Sequence, residues 1–212
     1  MAENTFAILV DAGFFQKRYL AEKNCHPNAD QIDSYCSQFK KIPYFQHSSL
    51  YRIFYYNARP SREIHQRNPL SGQDYFPFSQ KSVHESDETW KKLTEKPFFA
   101  MREGSLKKGG WKLANGTLEG IVAKTKANSL TAEDIKLEVN QKQVDLKIGM
   151  DVAHLAFKSL VQKIILVSND ADLAPAVKLA RVEGIQVFLD AMNQGVPEEL
   201  IKHTDVVLRT AI

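Results

Sequence analysis

Three aspartates follow apolar segments of the kind that form buried strands. Asp11 comes directly after residues 6–10 (FAILV), and Asp170 and Asp172 come shortly after residues 163–167 (KIILV). Short apolar runs of this type predict the buried strands of a parallel sheet. Ligands of open parallel α/β sheets bind beyond the carboxyl ends of the strands. If the two strands are neighbours, the three carboxylates converge at one edge of the sheet.

A fourth acidic residue, Asp145, lies at the predicted start of a helix. Crowded carboxylates repel one another, so protons or a hard cation must neutralise them. Carboxylate ligands without a cluster of Cys or His favour Mg²⁺ or Mn²⁺. Such ions activate water and hold a phosphodiester oxygen during in-line attack. The sequence therefore predicts a catalytic metal site built from Asp11, Asp145, Asp170 and Asp172.

Each acidic position also has a simpler structural interpretation. Asp11 is suited to end a strand or to cap the following helix. Asp170 and Asp172 are suited to interact with the positive end of a helix dipole. Asp151 lies six residues after Asp145, which is about 240° around a helix axis, so the two do not share a face. A supporting or structural role for Asp151 fits this spacing as well as metal ligation does.

The elements that would position these residues alternate between strands and helices. Predicted strands cover residues 6–10, 50–56, 98–106, 163–167, 185–189 and 206–208. Predicted helices cover residues 12–22 and 171–183. Another begins at a cap formed by Asn28 or Asp30 and ends at Lys41, and a further one follows Ser82 and ends before Pro97. The last has Leu146, Met150, Ala153 and Phe157 on its apolar face. Such alternation predicts an α/β fold with a mainly parallel central sheet flanked by helices.

The composition excludes several classes of protein. With 212 residues, 43% of them hydrophobic and 25% charged, the chain is expected to form one globular domain over residues 1–212. We expect no membrane span, because no apolar run is long enough, and no signal peptide, because the amino terminus lacks a basic segment. Two cysteines cannot form a disulfide framework, which favours a reduced, cytoplasmic protein. The sequence contains no glycine-rich nucleotide-binding motif and no nucleophile elbow.

Residues 57–130 are predicted to form a variable, basic excursion. Residues 81–126 alone carry ten basic and six acidic side chains. Basic and aromatic residues are suited to contact RNA phosphates and to stack on bases, although a flexible solvated loop explains the same composition. The candidate RNA-binding residues are Arg59, Arg62, Arg67, Lys107, Lys108, Trp111 and Lys112. Aromatic residues in segments 50–56 and 74–78 also suggest a homodimer, because one small domain need not cover them all.

Three segments together resemble a known family. They are FAILVDAGFF at residues 6–15, QKQVDLKIGMDVAHLA at residues 141–156, and KIILVSNDADLAPAVKLARVEGIQVFLD at residues 163–190. In order and spacing they are similar to the NYN domain, in its LabA-like (DUF88) branch of the PIN-like nuclease superfamily. The resemblance covers residues 5–20 and 141–190, and it is loose over residues 57–130.

The resemblance implies a PIN-like three-layer fold and a metal-dependent ribonuclease that uses Mg²⁺ or Mn²⁺. It assigns the acidic site to Asp11, Asp145, Asp170 and Asp172, with Asp151, Ser168 and Asn169 in supporting positions. Ala12, Gln143 and Asn169 stand where the family commonly has glycine. Asn tolerates left-handed backbone better than most residues, so Asn169 is expected to preserve the turn. None of these departures removes a carboxylate.

Other functions remain open at this point. The same fold could serve as a non-catalytic regulatory module that binds RNA or a protein, and RNA binding without cleavage would identify it. A deoxyribonuclease would use the same chemistry. A phosphohydrolase of the haloacid dehalogenase type is disfavoured, because that class needs a second aspartate two residues after Asp11, where this chain has Gly13.

Overall fold

A computed structural model describes residues 4–122 and 130–210 of the chain. The strands are β1 Thr5–Asp11, β2 Ser49–Asn57, β3 Gln66–Arg67, β4 Asp74–Tyr75, β5 Phe99–Glu103, β6 Ser105–Leu113, β7 Ile135–Lys142, β8 Lys163–Val167, β9 Gln186–Asp190 and β10 Val206–Leu208. The helices are α1 Ala12–Lys23, α2 Ala29–Gln38, α3 Gln80–Glu95, α4 Thr117–Val122, α5 Val144–Phe157, α6 Ala174–Val182 and α7 Glu198–Ile201. Within these ranges, none of the helices has both the length and the apolarity that crossing a bilayer requires.

The described residues form a six-stranded parallel sheet in the order β10-β9-β8-β1-β2-β5. The predicted mainly parallel sheet is confirmed, and its flanking helices make the fold consistent with a PIN-like architecture. Strand β1 lies between β2 and β8, so the two apolar runs that precede the aspartates are neighbours. Their carboxyl ends therefore meet at the same edge of the sheet.

The sheet has a hydrophobic core on each face. Phe6, Ile8 and Val10 of β1 pack on one side with residues of α1 and α2, and Ala7 and Leu9 pack on the other side with residues of α5 and α6. Because successive side chains of a strand point to opposite faces, the side chain of Asp11 follows Leu9 toward α5. Aromatic residues 54–56, one basis for expecting a homodimer, are buried within this chain's own core.

Side-chain caps fix where the first three helices begin. Asp11 caps α1 by accepting a hydrogen bond from the Phe14 amide, and Asn28 forms a capping box with Gln31 at the start of α2. Ser79, rather than Ser82, caps α3 by accepting from the amide of residue 82. Caps of this kind contribute about 1 kcal/mol each.

The strand predicted over residues 98–106 is two strands that separate at Gly104. Strand β5 belongs to the main sheet, whereas β6 leaves it and pairs antiparallel with β7. A methyl group on Gly104 would lie 2.7 Å from Val144 Cγ2 and 2.9 Å from the Lys142 carbonyl oxygen. Only a residue without a side chain lets the β5–β6 junction approach the start of α5 this closely. The expected excursion is thus anchored beside α5.

The apolar face predicted for α5 is the wrong one. Leu146, Met150 and Phe157 are each more than 60% exposed, whereas Ile148 and Val152 are buried against the sheet. Helix α5 carries apolar residues on both sides, so a 3.6-residue period alone does not decide which side packs. The packing of Ile148 and Val152 on the sheet brings the exposed Asp145, in the first turn of α5, to the edge of the sheet near Asp11.

Candidate functional site

Asp11 and Ser168 lie side by side at the carboxyl edge of the sheet. Val10 pairs with Val167, so the residues that follow them are adjacent. Ser168 is fully buried, and its Oγ donates a hydrogen bond of 3.2 Å to Asp11 Oδ2. Asp11 Oδ1 accepts another of 3.2 Å from the Phe14 amide. Asp11 is therefore the helix cap that its position allowed, and it is held in one orientation.

Ser168 also connects Asp11 to the acidic turn after β8. The amide of Asp170 donates to Ser168 Oγ at 3.3 Å, and the amide of Asp172 donates to Asp170 Oδ1 at 2.9 Å. The carboxylate of Asp170 thus caps the 3₁₀ turn Ala171–Leu173 that leads into α6. One buried hydroxyl fixes the turn relative to the end of β1.

The electrostatics place Asp145 among the other three aspartates. Asp145 lies in the first turn of α5. Partial burial raises its pKa, and the negative charges of Asp170 and Asp172 raise it further. Burial is also the main cause that raises the pKa of Asp11, with a smaller contribution from Asp145, although hydrogen bonds from Phe14 and Ser168 oppose the shift. Asp145 therefore interacts with each of the other three carboxylates at the edge of the sheet.

The donor set is suited to a hard cation bound partly through water. All four side chains supply carboxylate oxygens, which Mg²⁺ and Mn²⁺ prefer. In residues 4–122 and 130–210, no three His, Cys, Asp or Glu side chains are arranged closely enough to hold a metal directly. Mg²⁺ commonly keeps several waters and uses one or two carboxylates. The described residues therefore form no closed cage of carboxylates, and a cation held partly through water stays a prediction.

Asp151 does not join this group. Its carboxylate accepts hydrogen bonds from Arg102 Nε at 2.7 Å and from the Tyr56 hydroxyl at 2.9 Å. Burial is the main cause that raises the pKa of Tyr56 well above its usual value, and the charge of Asp151 adds to it. Asp151 therefore connects α5 to the ends of β2 and β5. This is the structural role that was one of the two interpretations of its spacing from Asp145.

Asn169 and Gln143, which stand where the family commonly has glycine, have different backbone conformations. The backbone of Asn169 is not left-handed; instead its Nδ2 donates to the Gly195 carbonyl at 2.9 Å. Gln143, directly before α5, has a φ of 71°. This is the conformation that glycine adopts without steric cost. The left-handed backbone that we expected at Asn169 occurs at Gln143 instead.

The three arginines predicted to contact RNA are engaged within the protein. Arg59 forms ion pairs of 2.7 Å with two carboxylates. Arg62 donates to a backbone carbonyl, and its guanidinium lies 3.5 Å from the centre of the Phe76 ring. Arg67 donates to the Gly72 carbonyl at 2.7 Å. These contacts stabilise the segment between β2 and α3.

The other four candidates lie on β6. Trp111 packs edge-on against Tyr75 with ring centres 5.4 Å apart, and Lys108 donates to the carbonyl of residue 65. Lys112 pairs with a glutamate on β7. The side chain of Lys107 is exposed and makes no hydrogen bond or ion pair within the described part of the chain. Lys108 and Trp111 therefore lie on one face of β6, and Lys107 and Lys112 lie on the other.

Sequence reasoning missed Gln141, which lies beside the acidic site. A methyl group on Gly13 would lie 2.9 Å from Gln141 Oε1 and 3.3 Å from Asp11 Oδ1. The amide group of Gln141 therefore covers the turn that follows Asp11. Its position four residues before Asp145 was the available signal, since the two residues occupy the same β7–α5 junction.

It also missed Asp190, which ends β9 as Asp11 ends β1. Asp190 is fully buried and accepts hydrogen bonds from the Tyr35 hydroxyl at 3.1 Å and the Met192 amide at 2.8 Å. Its neighbours Phe188 and Met192 belong to the core that contains Val10. Asp190 thus points to the opposite face of the sheet from Asp11 and is not part of the acidic site.

The burial of Asp190 predicts a pH dependence of stability. Burial is the main cause that raises its pKa above the usual value, although hydrogen bonds from its partners oppose the shift. The folded state then binds more protons than the unfolded state, so the contribution of Asp190 to stability falls as pH rises above about 4. We expect the difference in free energy of unfolding between the wild type and Asp190→Asn to decrease in urea titrations from pH 4 to pH 7.

Asp30 provides a control for this measurement. The hydrogen bond from Lys96 lowers its pKa, so its contribution changes only below about pH 4. The difference between the wild type and Asp30→Asn should stay flat from pH 5 to pH 7. A flat difference for Asp190→Asn as well would contradict the prediction.

Comparison with known proteins supports the fold and part of the family resemblance. A family model described as NYN domain matches residues 109–210, which include Asp145, Asp170 and Asp172 but not Asp11. A crystal structure of a protein of unknown function from Vibrio parahaemolyticus is similar, with a TM-score of 0.53 and 16% sequence identity. The similarity covers 98% of this chain and 93% of that chain, and it shows the shared fold alone. No curated protein matches the sequence.

Proposed function

We propose that the protein is a ribonuclease that depends on Mg²⁺ or Mn²⁺ and hydrolyses phosphodiester bonds at its four clustered aspartates. The observation that carries this proposal is the position of Asp11 and the Asp170 turn, joined through Ser168 at one edge of a parallel sheet, with Asp145 interacting with Asp11, Asp170 and Asp172. The match of residues 109–210 to the NYN domain supports it, because that domain indicates the PIN-like nuclease superfamily. The three motifs further favour the LabA-like branch.

We assign the residues of the acidic site different roles according to their surroundings. Ser168 and the first turn of α1 hold the carboxylate of Asp11 in a fixed orientation. Asp145 and Asp172 are exposed, so they face the side from which a substrate arrives. A bound cation would supply an activated water and charge stabilisation on the phosphodiester. Gln141, beside Asp11, is placed to orient a polar group of the substrate.

Cleavage of a mixed panel of labelled RNA and single-stranded DNA tests the proposal. The wild type is compared in Mg²⁺, in Mn²⁺ and in EDTA with the double variant Asp170→Asn/Asp172→Asn. We expect metal-dependent cutting of RNA that the variant loses, because two of the four carboxylate charges are removed. Thermal unfolding of both proteins checks that the variant is folded.

The other results assign other functions. Retention of RNA without cutting in any metal would replace the nuclease by a non-catalytic binding module. Cutting confined to DNA would make the protein a deoxyribonuclease. Equal cutting by the wild type and the double variant would remove Asp170 and Asp172 from the site.

A further inference from the structure

Strands β6 and β7 form a two-stranded antiparallel ribbon outside the main sheet. Their register extends from the Ser105–Lys142 pair to the Leu113–Ile135 pair. Residues 136 to 142 alone span about 20 Å at the usual rise of a strand. The ribbon is therefore long enough to carry a binding surface of its own.

The two faces of the ribbon differ in character. On the inner face, Ile135 and Leu137 are buried, and Trp111 packs against Tyr75 of β4. Alternation along each strand places the other residues on an outer face. The exposed lysines of this outer face are Lys107, Lys112, Lys136 and Lys142.

The outer face carries an excess of positive charge. The acidic side chain among the four lysines is Glu138, which pairs with Lys112. Lys136 donates to Asn115 Oδ1 at 2.9 Å, which leaves its charge uncompensated. The side chains of Lys107 and Lys142 make no hydrogen bond or ion pair with the residues described here. A protein surface of this charge attracts a polyanion.

The ribbon leads directly to the acidic site. Gln141, next to Lys142, lies against the turn after Asp11. Lys142 precedes Asp145 by three residues. The end of the ribbon therefore lies beside the turn after Asp11, and Lys142 occupies the outer face at that end, with Lys136 further along β7.

We propose that the outer face of the β6–β7 ribbon binds the phosphodiester backbone of RNA and guides it to the aspartates. This proposal rests on the proposed function for the identity of its ligand. Lysine contacts to phosphates supply affinity without reading sequence, so the ribbon contributes affinity and position rather than base specificity. It assigns the contacts to Lys107, Lys112, Lys136 and Lys142, and it excludes Lys108 and Trp111, which lie on the other face of the ribbon.

Fluorescence anisotropy with a labelled RNA of about 30 nucleotides in EDTA measures this binding without cleavage. The test variant is Lys107→Ala/Lys142→Ala. The control Lys81→Ala/Lys91→Ala removes the same charge from exposed positions on α3. We expect the ribbon variant to bind about tenfold more weakly at 0.1 M salt and to lower the salt slope of log K by about 1.4, because two phosphate contacts are lost. The control should differ from the wild type by less than about twofold, since its lysines lie outside the ribbon.

The outcomes separate this proposal from the proposed function. Equal affinity of the ribbon variant and the control, with both folded by circular dichroism, would overturn the ribbon as the RNA-binding surface even if the wild type cuts RNA. Binding that depends on the ribbon lysines in a protein that never cuts RNA would uphold the ribbon and overturn the nuclease. Absence of RNA binding by the wild type would overturn the ribbon proposal.

Discussion

Asp11→Asn should lower metal-dependent RNA cleavage by at least about 100-fold while the protein remains folded. The asparagine keeps one oxygen, which can accept from the Phe14 amide, and its Nδ2 can donate to Ser168 Oγ in place of the bond that Asp11 Oδ2 accepts, so the cap of α1 persists. It removes the negative charge that a cation would require. Because burial already raises the pKa of Asp11, loss of that charge does not destabilise the fold. Single-turnover cleavage in Mg²⁺ and thermal unfolding measure the two effects.

An exposed aspartate remote from the site provides the matched control. Asp74 of β4 is exposed, and Asp74→Asn makes the same chemical change. This control should cleave RNA at the wild-type rate. Normal cleavage by Asp11→Asn would remove Asp11 from the catalytic site and leave it as a helix cap only.

The sequence predicted those parts of the site that follow buried strands, because a buried strand has a recognisable apolar pattern. The runs at residues 6–10 and 163–167 are apolar throughout because both faces of β1 and β8 are buried. Each run ends where a polar residue begins the next turn. The pairing of β1 with β8 then brings Asp11 to the acidic turn. The sequence was compatible with this pairing but did not determine it.

The ribbon shows why other parts were missed. Residues 135–142 alternate apolar and polar side chains, which is typical of a half-buried strand, yet this strand was not predicted. Its partner β6 was divided between the strand predicted over residues 98–106 and the excursion predicted after it, and the close contact of Gly104 with the start of α5 separates β6 from β5. The division depends on packing between distant segments, so no local pattern reveals it.

The same limit applies to α5. Its exposed residues Leu146, Met150 and Phe157 satisfy the helical period as well as its buried residues do. The packing of Ile148 and Val152 on the sheet and the Asp151–Arg102 ion pair of 2.7 Å join distant segments, which the helical period does not reveal. The two aspartates of α5 therefore provide a direct test of how the helix is used.

Asp145→Ala and Asp151→Ala should have opposite effects. Asp145 is exposed and is repelled by Asp170 and Asp172, so its loss should abolish cleavage at no cost in stability. Loss of the Asp151 carboxylate leaves Arg102 and the buried Tyr56 hydroxyl without their acceptor. That should cost about 2 kcal/mol, allowing for the partial exposure of Arg102. The midpoint of thermal unfolding would then fall by about 4–8 °C.

The comparison is controlled within one helix, because both variants replace an aspartate by the residue with the highest helix propensity. Cleavage by folded Asp151→Ala, measured well below its unfolding temperature, should stay within about threefold of the wild type, because the four clustered aspartates are untouched. If Asp151→Ala lost cleavage while keeping its stability, Asp151 would belong to the acidic site and the Arg102 pair would hold it there. If Asp145→Ala cut RNA normally, Asp145 would not belong to the catalytic site, which would then consist of Asp11 and the turn that Ser168 connects to it.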